Sequence, residues 1–237
     1  MRSKSLNWLR FNASLALRYF GSDGRKAIAI DPSYISKSGK KTPHIGRFWS
    51  GCAGAVKHGL EIMGLGLIDI DSHNCMMLRA HQTPGNFELK KRNMTLADHY
   101  IAVIKRYRRE LLKLSHLVVA DAFFSTDTTL SGEEVLDFYR TRFQIEFCFR
   151  DAKQFCGLTD SQARDTNKLD CAFNASFASL NVAKVMMKER QMEYSMYKFK
   201  LLMTNTFLMK RIFDVSQYRP NQTLINHIFK ELFGCAA

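Results

Sequence analysis

The chain has no C-x-x-C pair. Its six cysteines stand at 52, 75, 148, 156, 171 and 235, with no histidines beside them at zinc spacing. That excludes a zinc ribbon and a disulfide mini-protein. Cys148, Cys156 and Cys171 fall in helical or apolar surroundings and are expected as buried, reduced thiols of a cytoplasmic protein. No secretory leader is legible, because Asn7, Arg10, Asn12 and Arg18 interrupt the apolar opening segment. No run is long enough to cross a membrane. The most apolar stretch, 171–187, contains Asn174, Asn181 and Lys184 and predicts a buried helix. Internal repeats and low-complexity tracts are also missing. Acidic residues are the scarce charge, 22 against 35 Lys plus Arg in 237 residues, a net charge of +13. Such a surplus suits an anionic partner, nucleic acid before a membrane surface.

With 46% hydrophobic and 24% charged residues, the composition is globular and supports a sizeable core. The run AIAID, 27–31, predicts a buried central strand ending in a carboxylate. Segments 45–55 and 61–71, the latter extended by 75–78, predict two further strands of an antiparallel meander. Gly51, Gly54, Gly59, Gly64 and Gly66 favour bends or bulges there. Thr95, with Asp98 three residues on, caps a helix to about Leu114. LVVAD, 117–121, repeats the motif of a short strand ending in Asp. Ser131 and Glu134 form the capping box of a helix running to about Phe155, which Gly157 stops. Helices follow at about 167–191, 197–213 and 223–233. Three divisions are expected: a helical segment at 1–23, a catalytic domain at 24–192 and a helical extension at 193–237.

The chemistry gathers on a few of these elements. Strand ends expose side chains to a ligand, and two strands here end in Asp31 and Asp121. On the helix from Ser131, Tyr139, Arg142, Glu146 and Lys153 are spaced by 3, 4 and 7 residues, which places them within an arc of roughly 60°. The same face reads equally as a solvated one with Arg142–Glu146 as an i, i+4 pair. Asp31, Asp121 and Glu146 together make a candidate three-carboxylate cage for Mg²⁺, which takes oxygen ligands. Two such ions can activate an attacking oxygen and stabilise the leaving oxygen of a phosphodiester. Arg142 and Lys153 would then clamp phosphates, and Tyr139 would bond a phosphate or stack on a base. Four scattered histidines, 44, 58, 73 and 81, are read as structural. Asp69 and Asp71 are read as serving the turn at Ser72–Asn74. Lys37, Lys40, Lys41 and Arg47 form a basic loop near Asp31, as consistent with DNA contact as with plain solvation.

The segment YRTRFQIEFCFRDAK, 139–153, resembles the Y-(2)-R-(3)-E-(6)-K signature of IS4-type bacterial transposases, with all four residues at the family spacing. AIAIDPSYISKSGKK and LVVADAFFS are similar to the segments around that family's first and second catalytic Asp, and the region after the signature is similar as well. The resemblance spans about Lys26 to Lys188. It implies an α/β, RNase H-like mixed five-stranded sheet flanked by helices, with extra C-terminal helices. It also implies a DDE triad of Asp31, Asp121 and Glu146 binding two Mg²⁺ (Mn²⁺ as substitute), with Tyr139, Arg142 and Lys153 as DNA-binding signature positions. The implied reaction is hydrolysis at transposon ends followed by strand transfer into target DNA, carried out by a synaptic homodimer. Only 24 residues separate Asp121 from Glu146, where the family usually carries a large β insertion. A deleted and N-terminally shortened copy is therefore expected, with a non-catalytic DNA-binding remnant or a generic RNase H-like nuclease as the alternatives.

Overall fold

In the computed structural model, residues 6–39, 41–120 and 131–216 are described, together with 221, 223, 226, 227 and 231. The chain divides into two compact units, Met1–Asn181 and Val182–Ala237. The boundary falls inside a single long helix.

The unbroken apolar run at 27–30 forms the spine of the sheet. Strand β1, Lys26–Ser36, is buried over its first six residues, as two-sided cover requires. It pairs antiparallel with β3, Ala55–Asp69, from Lys26↔Asp69 to Ser36↔Gly59. On its other side it pairs parallel with the two-residue β5, Val118–Val119, through Ile28↔Val118 and Ala29↔Val119. β2, Gly46–Ser50, and β4, Asn74–Gln82, both pair antiparallel with β3. The result is a mixed five-stranded sheet flanked by helices, an α/β fold of RNase H-like type.

The expected meander needs two corrections. β1 neighbours β3 rather than β2. Segment 75–78 is no extension of its predecessor but a reversed strand, β4. The reversal is made where His73 adopts a φ of 48° and Asp69 Oδ1 accepts from both the Ser72 amide and hydroxyl at 2.8 Å. The polar cluster after Ile70 therefore closes a hairpin. Asp71 instead accepts from the Arg25 amide and Nε at 2.9 and 3.0 Å.

The helices follow their caps. α1 is Trp8–Phe20 and α2 is Asn86–Lys91. α3, Leu96–Leu111, has the full Thr95–Asp98 capping box, and α4, Gly132–Arg142, has that of Ser131 and Glu134. The single helix expected to reach Phe155 is in fact two. α4 ends at Arg142 and α5 spans Gln144–Phe155. At the junction the Glu146 amide bonds the Phe143 carbonyl at 3.0 Å, three residues back, a local tightening of the 3₁₀ kind. α6 is Thr166–Glu189 and α7 is Met196–Ser216. The helix expected at 223–233 lies mostly outside the described residues.

α5 and α3 cover opposite faces of the sheet. A Cβ on Gly64 would meet the Phe149 ring at 2.5 Å, and one on Gly66 would meet Ile145 Cδ1 at 3.2 Å. These two glycines let α5 lie directly on the strands. On the other face the Tyr100 hydroxyl of α3 donates to the buried Glu61 at 2.7 Å. Burial pushes the Glu61 carboxyl above its ordinary range.

Along β4, α6 contributes two buried asparagines. Asn174 accepts from the Ala80 amide at 2.9 Å and donates to the Ala80 carbonyl at 3.1 Å. Asn181 does the same at Met77, at 3.1 and 2.6 Å, and also donates to Asn12 of α1. Asn12 in turn donates to the Leu78 carbonyl at 3.1 Å. Seven helical residues rise about 10.5 Å, close to the three-residue span from Met77 to Ala80. A register shift at Leu65/Gly66 skips Leu78, which turns both Met77 and Ala80 outward.

Of the cysteines, Cys75 and Cys148 are buried, whereas Cys171, expected in the core, is exposed on α6 and Cys156 is half-buried. Among the described residues no helix is long and apolar enough to cross a membrane.

Candidate active site

Asp31 emerges where β1 has outrun β5, whose pairing stops at Ala29. Its side chain shares a face with its cross-strand partner Gly64, the face that α5 covers. Arg142, the last residue of α4, reaches this point. Its Nη1 donates to Asp31 Oδ1 at 3.0 Å and its Nη2 to Glu146 Oε1 at 3.4 Å. One guanidinium thus joins carboxylates 115 residues apart. The Arg142 and Asp31 side chains are only 10% and 13% exposed, whereas Glu146 is 56% exposed. The Asp31 contact is therefore the stronger, since the Glu146 contact is screened by water. The Tyr139 ring lies 5.8 Å from the guanidinium carbon.

Lys153, two turns further along α5, is tied back to β1. Its Nζ donates to Ser33 Oγ and to the Tyr34 carbonyl, both at 2.9 Å. Burial lowers the Lys153 pKa, while Cys52 and Asp31 act against that shift. Despite the break at Phe143, Arg142 meets Asp31 and Glu146, Tyr139 lies by the same guanidinium, and Lys153 binds β1 two and three residues past Asp31. The two cations expected to clamp phosphates are engaged with protein oxygens in this state.

Asp121 lies outside the described residues. Among the described residues no group of three or more His, Cys, Asp or Glu converges to hold a metal. The two described carboxylates do converge on one positive group, as the oxygen donors of a divalent cation must.

Several contributors escaped sequence reasoning. Ser33 is an ordinary strand serine by pattern. Gly64 and Gly66 were read as bends, although two glycines two residues apart among large apolar side chains are also the signal for close approach on one face. The basic loop is split in its contacts: Lys37 Nζ bonds the Ser161 carbonyl, while Arg47 is exposed. Trp49 is 61% exposed on the face of β2. His81, half-buried, and the buried His99 are neighbours, with tilted rings 5.5 Å apart.

No curated protein and no solved structure matches the chain. The family model of the transposase DDE domain matches residues 57–182, just over half of the chain. The match includes Asp121 and Glu146, and Asp31 precedes it. A mixed sheet flanked by helices, with Asp31 and Glu146 brought onto one guanidinium, agrees with that match, and the chain belongs to the transposase DDE domain family.

Proposed function

We propose that the protein is a DDE transposase of IS4 type that hydrolyses phosphodiester bonds at transposon ends and transfers the freed strand to target DNA, with Asp31, Asp121 and Glu146 as its carboxylates. The observation that carries this reading is the bridge from Arg142 to Asp31 and Glu146. Strand register adds support. Ala29 pairs with Val119 in the parallel β1/β5 pair, and each is followed two residues later by an aspartate.

The metal expected is Mg²⁺, with Mn²⁺ as a substitute. Asp31 and Glu146, completed by Asp121, are the donors that would hold it. When bound, it lowers the pKa of an attacking water and neutralises charge on the reacting phosphate. The chain's own residues prepare that step. Asp31, from a strand, and Glu146, from a helix packed directly on the strand, are held in fixed relation by Gly64 and Phe149. Lys153 fixes α5 to β1 two and three residues past Asp31. Arg142 keeps the two carboxylates from repelling each other apart. Once they are otherwise neutralised, its guanidinium is available to a DNA phosphate, for which its planar fork is suited. In hydrolysis, water attacks phosphorus and the bond to the 3′ oxygen breaks, leaving a 3′-hydroxyl and a 5′-phosphate. In transfer, that 3′-hydroxyl attacks a target phosphodiester, a new bond from its oxygen to phosphorus forms, and the bond to the target's own 3′ oxygen breaks, releasing a target 3′-hydroxyl.

The test is nicking of supercoiled plasmid in Mg²⁺ or Mn²⁺ by wild type and by Glu146→Gln. Wild type is expected to nick only with metal. The variant should fold normally and lose at least about a hundredfold in rate, more than removal of a residue behind a metal ligand typically costs. Equal nicking by both would refute the assignment of Glu146. Absence of nicking by a folded wild type that still retains DNA in EDTA would favour a non-catalytic DNA-binding protein.

A further inference from the structure

The β2–β3 hairpin has no assigned role in the site, yet it carries an unusual face. Arg47 pairs with His58 and Trp49 with Val56. Directly opposed residues of an antiparallel pair point to one side, so these four side chains share a face, and all four are exposed. Trp49 is 61% exposed, an unusual state for a ring that size in a sheet. The opposite side of β2 is turned inward, with Phe48 and Ser50 buried. Val56 and His58 have the same parity along β3 as Gly64, the partner of Asp31. The exposed face of the hairpin is therefore a continuation of the face on which Asp31 and α5 stand. The Tyr34 hydroxyl donates to the His58 carbonyl of this hairpin at 2.6 Å, and Lys153 donates to the Tyr34 carbonyl at 2.9 Å. The hairpin thus leads toward the candidate site.

Its charge selects its partner. Residues 32–60 contain no Asp or Glu, and carry Lys37, Lys40, Lys41, Arg47 and Lys57. Among the described residues no ion pair joins Arg47 or Lys57 to a carboxylate. A stretch free of acid, with one exposed indole two residues from Arg47 on the same face, fits an anionic polymer that also has flat faces to stack. Nucleic acid meets both conditions.

We infer that the β2–β3 hairpin is a DNA-holding arm on which Trp49 stacks against an unpaired base of the strand entering the site, while Arg47, on the same face, holds a flanking phosphate. This rests on the DNA-processing reading above and adds to it a defined contact residue and an unpaired-base preference. Stacking on an indole tolerates any base, so the arm contributes affinity for opened DNA without reading sequence.

The full-length chain has two tryptophans, Trp8 and Trp49, so Trp8→Phe leaves Trp49 as the sole indole reporter. This protein is titrated with a fluorescein-labelled duplex containing a short unpaired bubble, and with the fully paired duplex of the same sequence. Anisotropy reports binding and indole emission reports stacking. The expected result is binding of both, tighter for the bubble, with Trp49 emission quenched by the bubble duplex. In the otherwise wild-type chain, Trp49→Ala should weaken bubble binding about tenfold, the scale of one base stack, and should leave paired-duplex binding within twofold. Trp49→Phe should restore most of the loss. Circular dichroism confirms folding of each variant, which the exposure of this side chain favours. Normal DNA binding with unchanged Trp49 emission, or an equal loss on both duplexes, overturns the arm and leaves the DNA-processing reading intact. Failure of the folded protein to bind either duplex overturns both.

Discussion

Arg142 stands between Asp31 and Glu146, 3.0 Å from one carboxylate and 3.4 Å from the other. A single side chain of the helical layer therefore fixes the spacing of a strand carboxylate and a helix carboxylate. Removing it takes from the nearly buried Asp31 the guanidinium 3.0 Å away. Arg142→Ala is expected to cost about 3 kcal/mol, the low end for breaking a buried pair, because the Glu146 half is solvent-screened. Urea denaturation at neutral pH without divalent ions measures this. Added Mn²⁺ should then return more stability to the variant than to wild type, since no guanidinium competes with the ion. A midpoint that does not move on substitution would contradict the bridge.

Gly64→Ala tests how closely α5 must lie on the sheet. Its Cβ would fall 2.5 Å from the Phe149 ring and 2.9 Å from Met77 Cε. Overpacking of this kind costs about 1–3 kcal/mol. Because Phe149 is one helical turn from Glu146, plasmid nicking should fall further than stability alone explains. Phe149→Leu in the same chain should return part of both losses. Simple additivity of the two substitutions in thermal melts would show that they do not meet.

A pH dependence follows from His81. Burial, then the neighbouring charges of His99, Arg79 and Arg106, push its imidazole from 6.5 down to about 4, against the opposing pull of the Gln82 carbonyl. Between those values the unfolded chain holds a proton that the folded chain does not. Stability is therefore lost as pH falls through that window. Glu61 works in the opposite sense, since its raised carboxyl takes up a proton earlier in the folded state. The comparison of His81→Gln with wild type isolates the histidine. The variant should show a shallower decline of Tm between pH 6.5 and 4, and parallel curves would refute the assignment.

The helical layer was the more legible part of the sequence. The pairs Thr95–Asp98 and Ser131–Glu134 mark helix starts through side-chain chemistry that acts over three residues, and both capping boxes form. Tyr139, Arg142, Glu146 and Lys153 could be placed together because helical spacing is local. Strand partnership could not be read the same way. Nothing near AIAID states that β1 joins β3 rather than β2, because that choice depends on residues thirty positions apart. The turn at Ser72–Asn74 was legible from its polar residues, but not that it returns the chain as a separate strand paired with β3. The ties of Lys153 to Ser33 and Tyr34 were invisible for a further reason. A lysine on a polar helix face carries no mark of whether water, phosphate or a carbonyl will receive it. The burial of Cys171 was wrongly expected because neighbouring apolar residues set the mean of a window, not which side of α6 each residue takes.

The asparagines of α6 have a consequence for how this molecule meets others. Among the described residues β4 pairs with β3 alone, and a strand so placed ordinarily offers its outward amides and carbonyls to any extended chain. Here the outward groups of Met77, Leu78 and Ala80 are already taken by Asn181, Asn12 and Asn174. The side chains imitate a neighbouring strand while the helix that bears them cannot propagate one. Over Met77–Ala80 this border of the sheet is closed to strand addition by another extended chain.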